Sequence, residues 1–205
     1  MSELKTALEK RFGEHRVSDY PAQDGDYINL LKIDVEKKFP LTIISTNGIS
    51  DYEMPVHEMY KGREHTELFF CLPGYWDLED KENPNYNWVL KVIQKLAKNV
   101  IENESWYAPG HTIGNGNPLT PISETMKQEN FILADPIILE DFLAPLQIGE
   151  KEVYFLAVIP IFDKEIERKL HQGYPKWIKK FRSRNGNEIL DDYRYSIYKS
   201  RWKIF

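Results

Sequence analysis

Ser50, Asp51 and His57 are the side-chain types of a hydrolytic triad, and they fall within one short stretch of the chain. A serine becomes a nucleophile when a base lies within hydrogen-bond reach and an acid orients that base. His111 offers a second candidate base, with Asp51 or His57 as its partner, so a hydrolase-like enzyme is one reading. No G-x-S-x-G elbow surrounds Ser50, and Cys71 is embedded in the apolar run Leu68–Leu72, where a thiol behaves as a small hydrophobe. Ser50 and Asp51 have a commoner use, which is to cap backbone groups in a turn. His15, His57, His65, His111 and His171 show no metal-ligand spacing, and a single cysteine excludes both an internal disulfide and a cysteine-rich metal site. The expectation is therefore no metal and no cofactor. Gly110-His111-Thr112-Ile113-Gly114-Asn115-Gly116 lacks the Lys-Ser/Thr end of a phosphate loop, so its glycines read as turns at a sheet edge. His111 and Thr112 would then bond backbone, or line a groove shared with Asp51.

These groups need elements to hold them. Residues 2–12 carry Leu4, Ala7, Leu8 and Phe12 at helical spacing, with Ser2 as cap and Gly13 as stop. Residues 18–26 have loop chemistry. Strands are expected from Ile28 to Val35 and from Leu41 to Ser45, joined by a link short enough for an antiparallel hairpin. The second strand exits into Thr46-Asn47-Gly48-Ile49-Ser50-Asp51-Tyr52-Glu53-Met54, and polar side chains leaving a rigid strand are where a scaffold presents functional groups. Thr66–Leu72 reads as a strand buried on both faces. Residues 86–102 form a helix with the stripe Trp88, Val89, Val92, Ile93, Leu96, Ala97 and Val100. Residues 105–121, rich in Gly and Pro, cannot stay regular for long. Short apolar pieces at 130–133 and 136–139 precede a strand at 151–162, a helix at 163–171 and one or two further helical turns around Trp177, Ile178 and Phe181. Strands and helices are interspersed, with too few βα alternations for a doubly wound sheet. The pattern predicts a single α+β domain over residues 1–205, with a mixed or mostly antiparallel sheet flanked by helices.

Composition bounds the partners. Across 205 residues the net charge is −5, with 41% hydrophobic and 13% aromatic residues, which is a globular profile without the basic footprint of a nucleic-acid binder. The cluster Lys176, Lys179, Lys180, Arg182 and Arg184 reads as the solvated face of a short helix. No apolar stretch marks a signal peptide or a membrane span, so a cytoplasmic protein with no membrane partner is expected. Trp88 belongs to the core by its helical register. Tyr75 and Trp76 follow Pro73-Gly74 and stand either exposed for a partner or folded back over the sheet. The rings of the tail 189–205, Tyr193, Tyr195, Tyr198, Trp202 and Phe205, are available for self-association or for the domain's own core.

Taken in order, several of these pieces resemble the suppressor-of-fused domain family in its small bacterial form. They are Thr46-Asn47-Gly48-Ile49-Ser50-Asp51 with Met54-Pro55-Val56; Thr66-Glu67-Leu68 through Leu72-Pro73 and Trp76; Gly110-His111-Thr112; and Val153-Tyr154-Phe155-Leu156 with Ile159-Pro160-Ile161 and Glu165. They span residues 28–170, and the stretch 172–205 has no counterpart among them. Ile49 stands where the family commonly has Met. The resemblance implies a non-enzymatic, protein-binding α+β domain. It also implies, from bacterial relatives, an immunity-type protein that binds and neutralises a toxin, a role that suits an acidic chain because many nuclease toxins are basic. The partner-binding candidates are Asn47, Ser50, Asp51, Tyr75, Trp76, His111 and Thr112. Asp51 would supply charge, Asn47 directional hydrogen bonds and Trp76 desolvated area.

Overall fold

The computed structural model describes residues 2–20, 27–80 and 82–198. Eight strands form the framework: β1 Val17–Tyr20, β2 Asn29–Glu36, β3 Pro40–Asn47, β4 Thr66–Pro73, β5 Thr112–Gly114, β6 Asn130–Ala134, β7 Leu146–Ile148 and β8 Lys151–Ile161. Their spatial order is β1-β2-β3-β4-β8-β6-β5, with β7 pairing β8 beside that path. Every ladder is antiparallel except β4 against β8, where Thr66 faces Tyr154 and Phe69 faces Ala157. Among the described residues four α-helices complete the fold: α1 Glu3–Phe12, α2 Pro84–Glu102, α3 Asp163–Gln172 and α4 Tyr174–Ser183.

The period-two geometry of a strand sends alternate side chains to opposite faces, and both faces of this sheet are covered. Leu68, Phe70 and Leu72 of β4, Phe131 and Leu133 of β6, and Leu156 and Val158 of β8 pack with α2 residues such as Trp88, Val89, Ile93 and Val100. Phe69 and Cys71, Ile132 and Ala134, and Phe155, Ala157 and Ile159 point the other way, onto Leu4 and Leu8 of α1 and Trp177 and Phe181 of α4. Cys71 is fully buried, and burial pushes its thiol well above the usual cysteine range, which makes it an inert core residue.

Local signals act where they stand in the sequence. Ser2 Oγ accepts from Lys5 N at 3.1 Å and caps α1, and Gly13 ends it at φ +99°. Asn83 Oδ1 accepts from Asn85 N at 3.0 Å and Pro84 opens α2. Two expectations change. Residues 18–20 belong to β1, paired with Leu30–Lys32, and not to a loop; residues 21–26 lie outside the described residues. Pairing with a hydrophobic neighbour strand overrode weak local propensity there. The helical turns near Trp177 extend to a ten-residue helix, because Trp177 and Phe181 bury one face of it against the sheet.

The C-terminal stretch up to Tyr198 packs onto the domain, and Trp202 and Phe205 lie outside the described residues. Ile189 bridges Cys71 in parallel at the end of β4, and Leu190 N donates to Cys71 O at 2.8 Å. Buried Glu188 accepts from the backbone N–H groups of Ile137, Ile138 and Leu139 at 2.9–3.1 Å. Arg194 then forks onto buried Glu165 of α3, with two N–H···O bonds of 2.8 Å. Much of what reads in sequence as an unassigned extension is therefore an integral layer.

Candidate interaction site

The strand-exit loop after β3 is shaped by a carboxylate. Glu67 of β4 is fully buried and has no cationic partner among the described residues. Its Oε1 accepts from Gly48 N at 2.9 Å, Ser50 N at 3.0 Å and Ser50 Oγ at 2.6 Å, and its Oε2 accepts from Thr46 Oγ1 at 2.5 Å. A buried carboxylate is tolerable only when its lone pairs are filled, and this loop fills them. Burial pushes the Glu67 carboxyl above the usual carboxylate range, and the four hydrogen bonds pull against that rise. Gly48 sits at φ +130°, a conformation that favours glycine, and Ile49–Asp51 form a single helical turn. Ser50 thus serves Glu67, and does not cap its own turn.

Around this loop lies a cleft of about 920 Å³. Its walls come from the start of α1 (Ser2, Glu3), from Asn29 of β2, from Asn47–Asp51 with Glu53, and from the β7–β8 turn Gly149-Glu150-Lys151, with His65 below. Ser2 Oγ donates to Asn47 Oδ1 at 2.7 Å and fixes the helix start to the loop. His65 Nδ1 lies 2.8 Å from Ser50 O. Asp51 and Lys151 pair at 3.0 Å across the opening, with 82% of the Asp51 side chain exposed, so water screens the pair and the carboxylate stays available. Glu3, Glu53 and Glu150 are exposed, with no ion pair among the described residues. Four acids against one lysine make the cleft anionic.

The sequence candidates divide. Asn47, Ser50 and Asp51 converge on this cleft. Tyr75 is 52% exposed at the other end of β4, its hydroxyl 2.6 Å from Asp192 Oδ1. Trp76 is only 8% exposed: its ring meets Tyr86 and Trp88 edge-on and its Nε1 donates to Tyr86 O at 3.1 Å, so it is core and not contact surface. His111 packs edge-on against Trp106 with ring centroids 4.5 Å apart, and burial together with Lys169 lowers its pKa. Thr112 is paired with Ile132 in the edge strand β5. No residue from 105–121 lines the cleft, so the two polar loops form separate surfaces.

His57 Nδ1 accepts from Met59 N at 3.3 Å, and neither His57 nor His111 bonds a carboxylate among the described residues. The side chains of the hydrolase reading are not joined into a triad. No His, Cys, Asp or Glu grouping suited to a metal occurs among the described residues. Sequence reasoning missed Glu67, Glu53, Glu150 and Lys151 as site residues. For Glu67 the signal was an acid inside a doubly buried strand; the β7–β8 turn gave none.

The sheet is wrapped on both faces, and an anionic cleft opens at one end of it. The family profile described as Suppressor of fused protein (SUFU) matches residues 24–194, and the chain belongs to that family. The fold agrees. It superposes on a crystal structure of a SUFU homolog from Neisseria gonorrhoeae with a TM-score of 0.68 and 15% identity, over 97% of this chain and 96% of that one. The Sufu–Fu complex gives 0.67 at 15% identity, over 95% and 91%. Drosophila Suppressor of Fused gives 0.54 at 17% identity, over 89% of this chain but 42% of its own length. No curated protein matches the chain. No helix among the described residues is long and apolar enough to cross a membrane.

Proposed function

We propose that this chain is a non-enzymatic, cytoplasmic protein-binding domain of the immunity type, which captures a basic toxin domain in the cleft beside the 47–53 loop. The observation that carries the reading is the preformed acidic cleft, in which Asp51, Glu53, Glu150 and Glu3 face a single lysine. Opposite charge steers a basic partner into such a surface and raises the association rate more than it deepens the affinity. Asn47 adds directional hydrogen bonding at the rim. The structural likeness to a protein solved in the Sufu–Fu complex supports protein binding as the general mode.

The test is affinity capture with the wild-type chain in its native host, repeated with Glu53→Lys/Glu150→Lys. A stoichiometric, basic protein partner lost in the variant is expected, and growth protection against that partner should be lost with it. Capture of a partner that is not toxic keeps the binding module and removes the immunity role. Recovery of no stoichiometric partner, or capture indifferent to the cleft reversal, overturns the reading.

A further inference from the structure

One segment of this acidic chain carries a marked excess of cations. Residues 163–184, covering α3 and α4, hold eight Lys and Arg against three acids, a charge of +5; the remaining 19 cations and 29 acids give −10. Within the hairpin Glu165 is buried and engaged by Arg194, which leaves its outer surface more positive still. Arg168 and Lys180 both approach the Tyr198 ring, at 5.9 and 4.1 Å, so the two helices present their cations on a shared face. Lys164 and Arg168 on α3, and Lys176 and Lys180 on α4, are like-charge pairs four apart, a spacing that costs helix stability. Lys164, Lys176, Lys179 and Arg184 are exposed without a carboxylate partner among the described residues. Leu170, 72% exposed, adds an apolar contact on α3.

The complementary surface is on the same molecule but at the other end of β8. That strand starts at Lys151, in the acidic cleft, and its 11 residues run roughly 36 Å before α3 begins. No ion pair among the described residues joins the hairpin to the cleft. We infer that the α3–α4 face is a docking surface for the acidic cleft of a second copy of this chain. The two patches differ, so the contact is heterologous, head to tail, and adds copies in series unless a ring closes. Because it occupies the cleft, self-association and capture of a basic partner are mutually exclusive. The unpartnered chain is thereby held in a stored form that a basic ligand dissolves.

Sedimentation velocity on the purified full chain tests this without any partner, so its outcome is separate from that of the capture experiment. The wild type should associate with rising concentration at low salt and dissociate at high salt, since exposed charge pairs are screened. Lys176→Glu/Lys179→Glu alone, and Glu53→Lys/Glu150→Lys alone, should each weaken association about tenfold or more, as attractions become repulsions. An equimolar mixture of the two variants should recover it, which also shows that both are folded. A wild type that stays monomeric at low salt overturns the inference. So does association that survives either reversal, or a mixture that fails to recover; binding of duplex DNA lost only in the hairpin variant would give that face to nucleic acid instead.

Discussion

Replacing Arg194 by Ala should destabilise the whole domain, although the residue lies at the very end of the family match, beyond the last helix. The Glu165 side chain is fully buried, and Arg194 is 15% exposed. The guanidinium gives two bonds of 2.8 Å to the carboxylate and a third of 2.9 Å to Pro160 O, while its plane lies over Phe162 and Phe181. Truncation leaves Glu165 with two backbone donors, Phe162 N at 3.0 Å and Ile197 N at 2.9 Å, and no counter-charge. Breaking a buried pair in this way costs about 3–5 kcal/mol, because an uncompensated charge stays behind. A domain stable by about 5–15 kcal/mol would lose a large share of that. Urea unfolding followed by tryptophan fluorescence reads the loss as a lower midpoint at constant slope. Arg194→Lys keeps the charge without the fork and should fall between the two. Arg194→Met/Glu165→Gln should recover much of the loss, since the pair's removal is milder than its rupture. A loss below about 1 kcal/mol for the Ala variant, or a double variant as unstable as the two singles combined, would refute the clasp as an anchor.

Other consequences are as direct. Glu67→Ala strands the donors of Gly48, Ser50 and Thr46 and should cost about 2 kcal/mol or more, with amide exchange rising through 47–51 while β6 stays protected. The raised carboxyl of Glu67 binds its proton more tightly when folded than unfolded, so it makes stability fall as pH rises from the ordinary carboxylate range toward the folded value; Glu67→Gln should flatten that fall in pH-dependent denaturation, and an unchanged profile would remove Glu67 from the titration. Trp76→Ala should cost about 3–5 kcal/mol as a core truncation, whereas Tyr75→Ala should stay within about 1 kcal/mol; equal losses in thermal or urea unfolding would contradict their different burial.

Periodicity disclosed most of the elements because local geometry sets it. The stripe from Trp88 to Val100 reads as one face of a helix, and the apolar run at 68–72, short, aromatic and halted by Pro73-Gly74, reads as a strand covered on both faces. Cys71 was readable as core for the same reason. Trp76 was not, since a turn after Pro73-Gly74 permits either direction and the choice is made by Trp88 and Tyr86, more distant in sequence. β1 falls in a stretch with loop chemistry and β7 carries no strand signal of its own, because short strands depend on partners for their stability.

By itself the chain's order of residues determined most of its elements, its α+β class and its family, and it singled out the loop Asn47 to Asp51 that lines the cleft. Tertiary structure alone decided that Glu67 holds that loop, that the β7–β8 turn supplies the facing wall, and that the loop at 110–116 belongs to a different surface. The physical reason is range. Helix and strand signals act between residues a few positions apart, whereas Ser50 meets Glu67 across 17 positions and Asp51 meets Lys151 across 100. Such contacts leave no periodic trace, and only packing of the whole sheet brings them together.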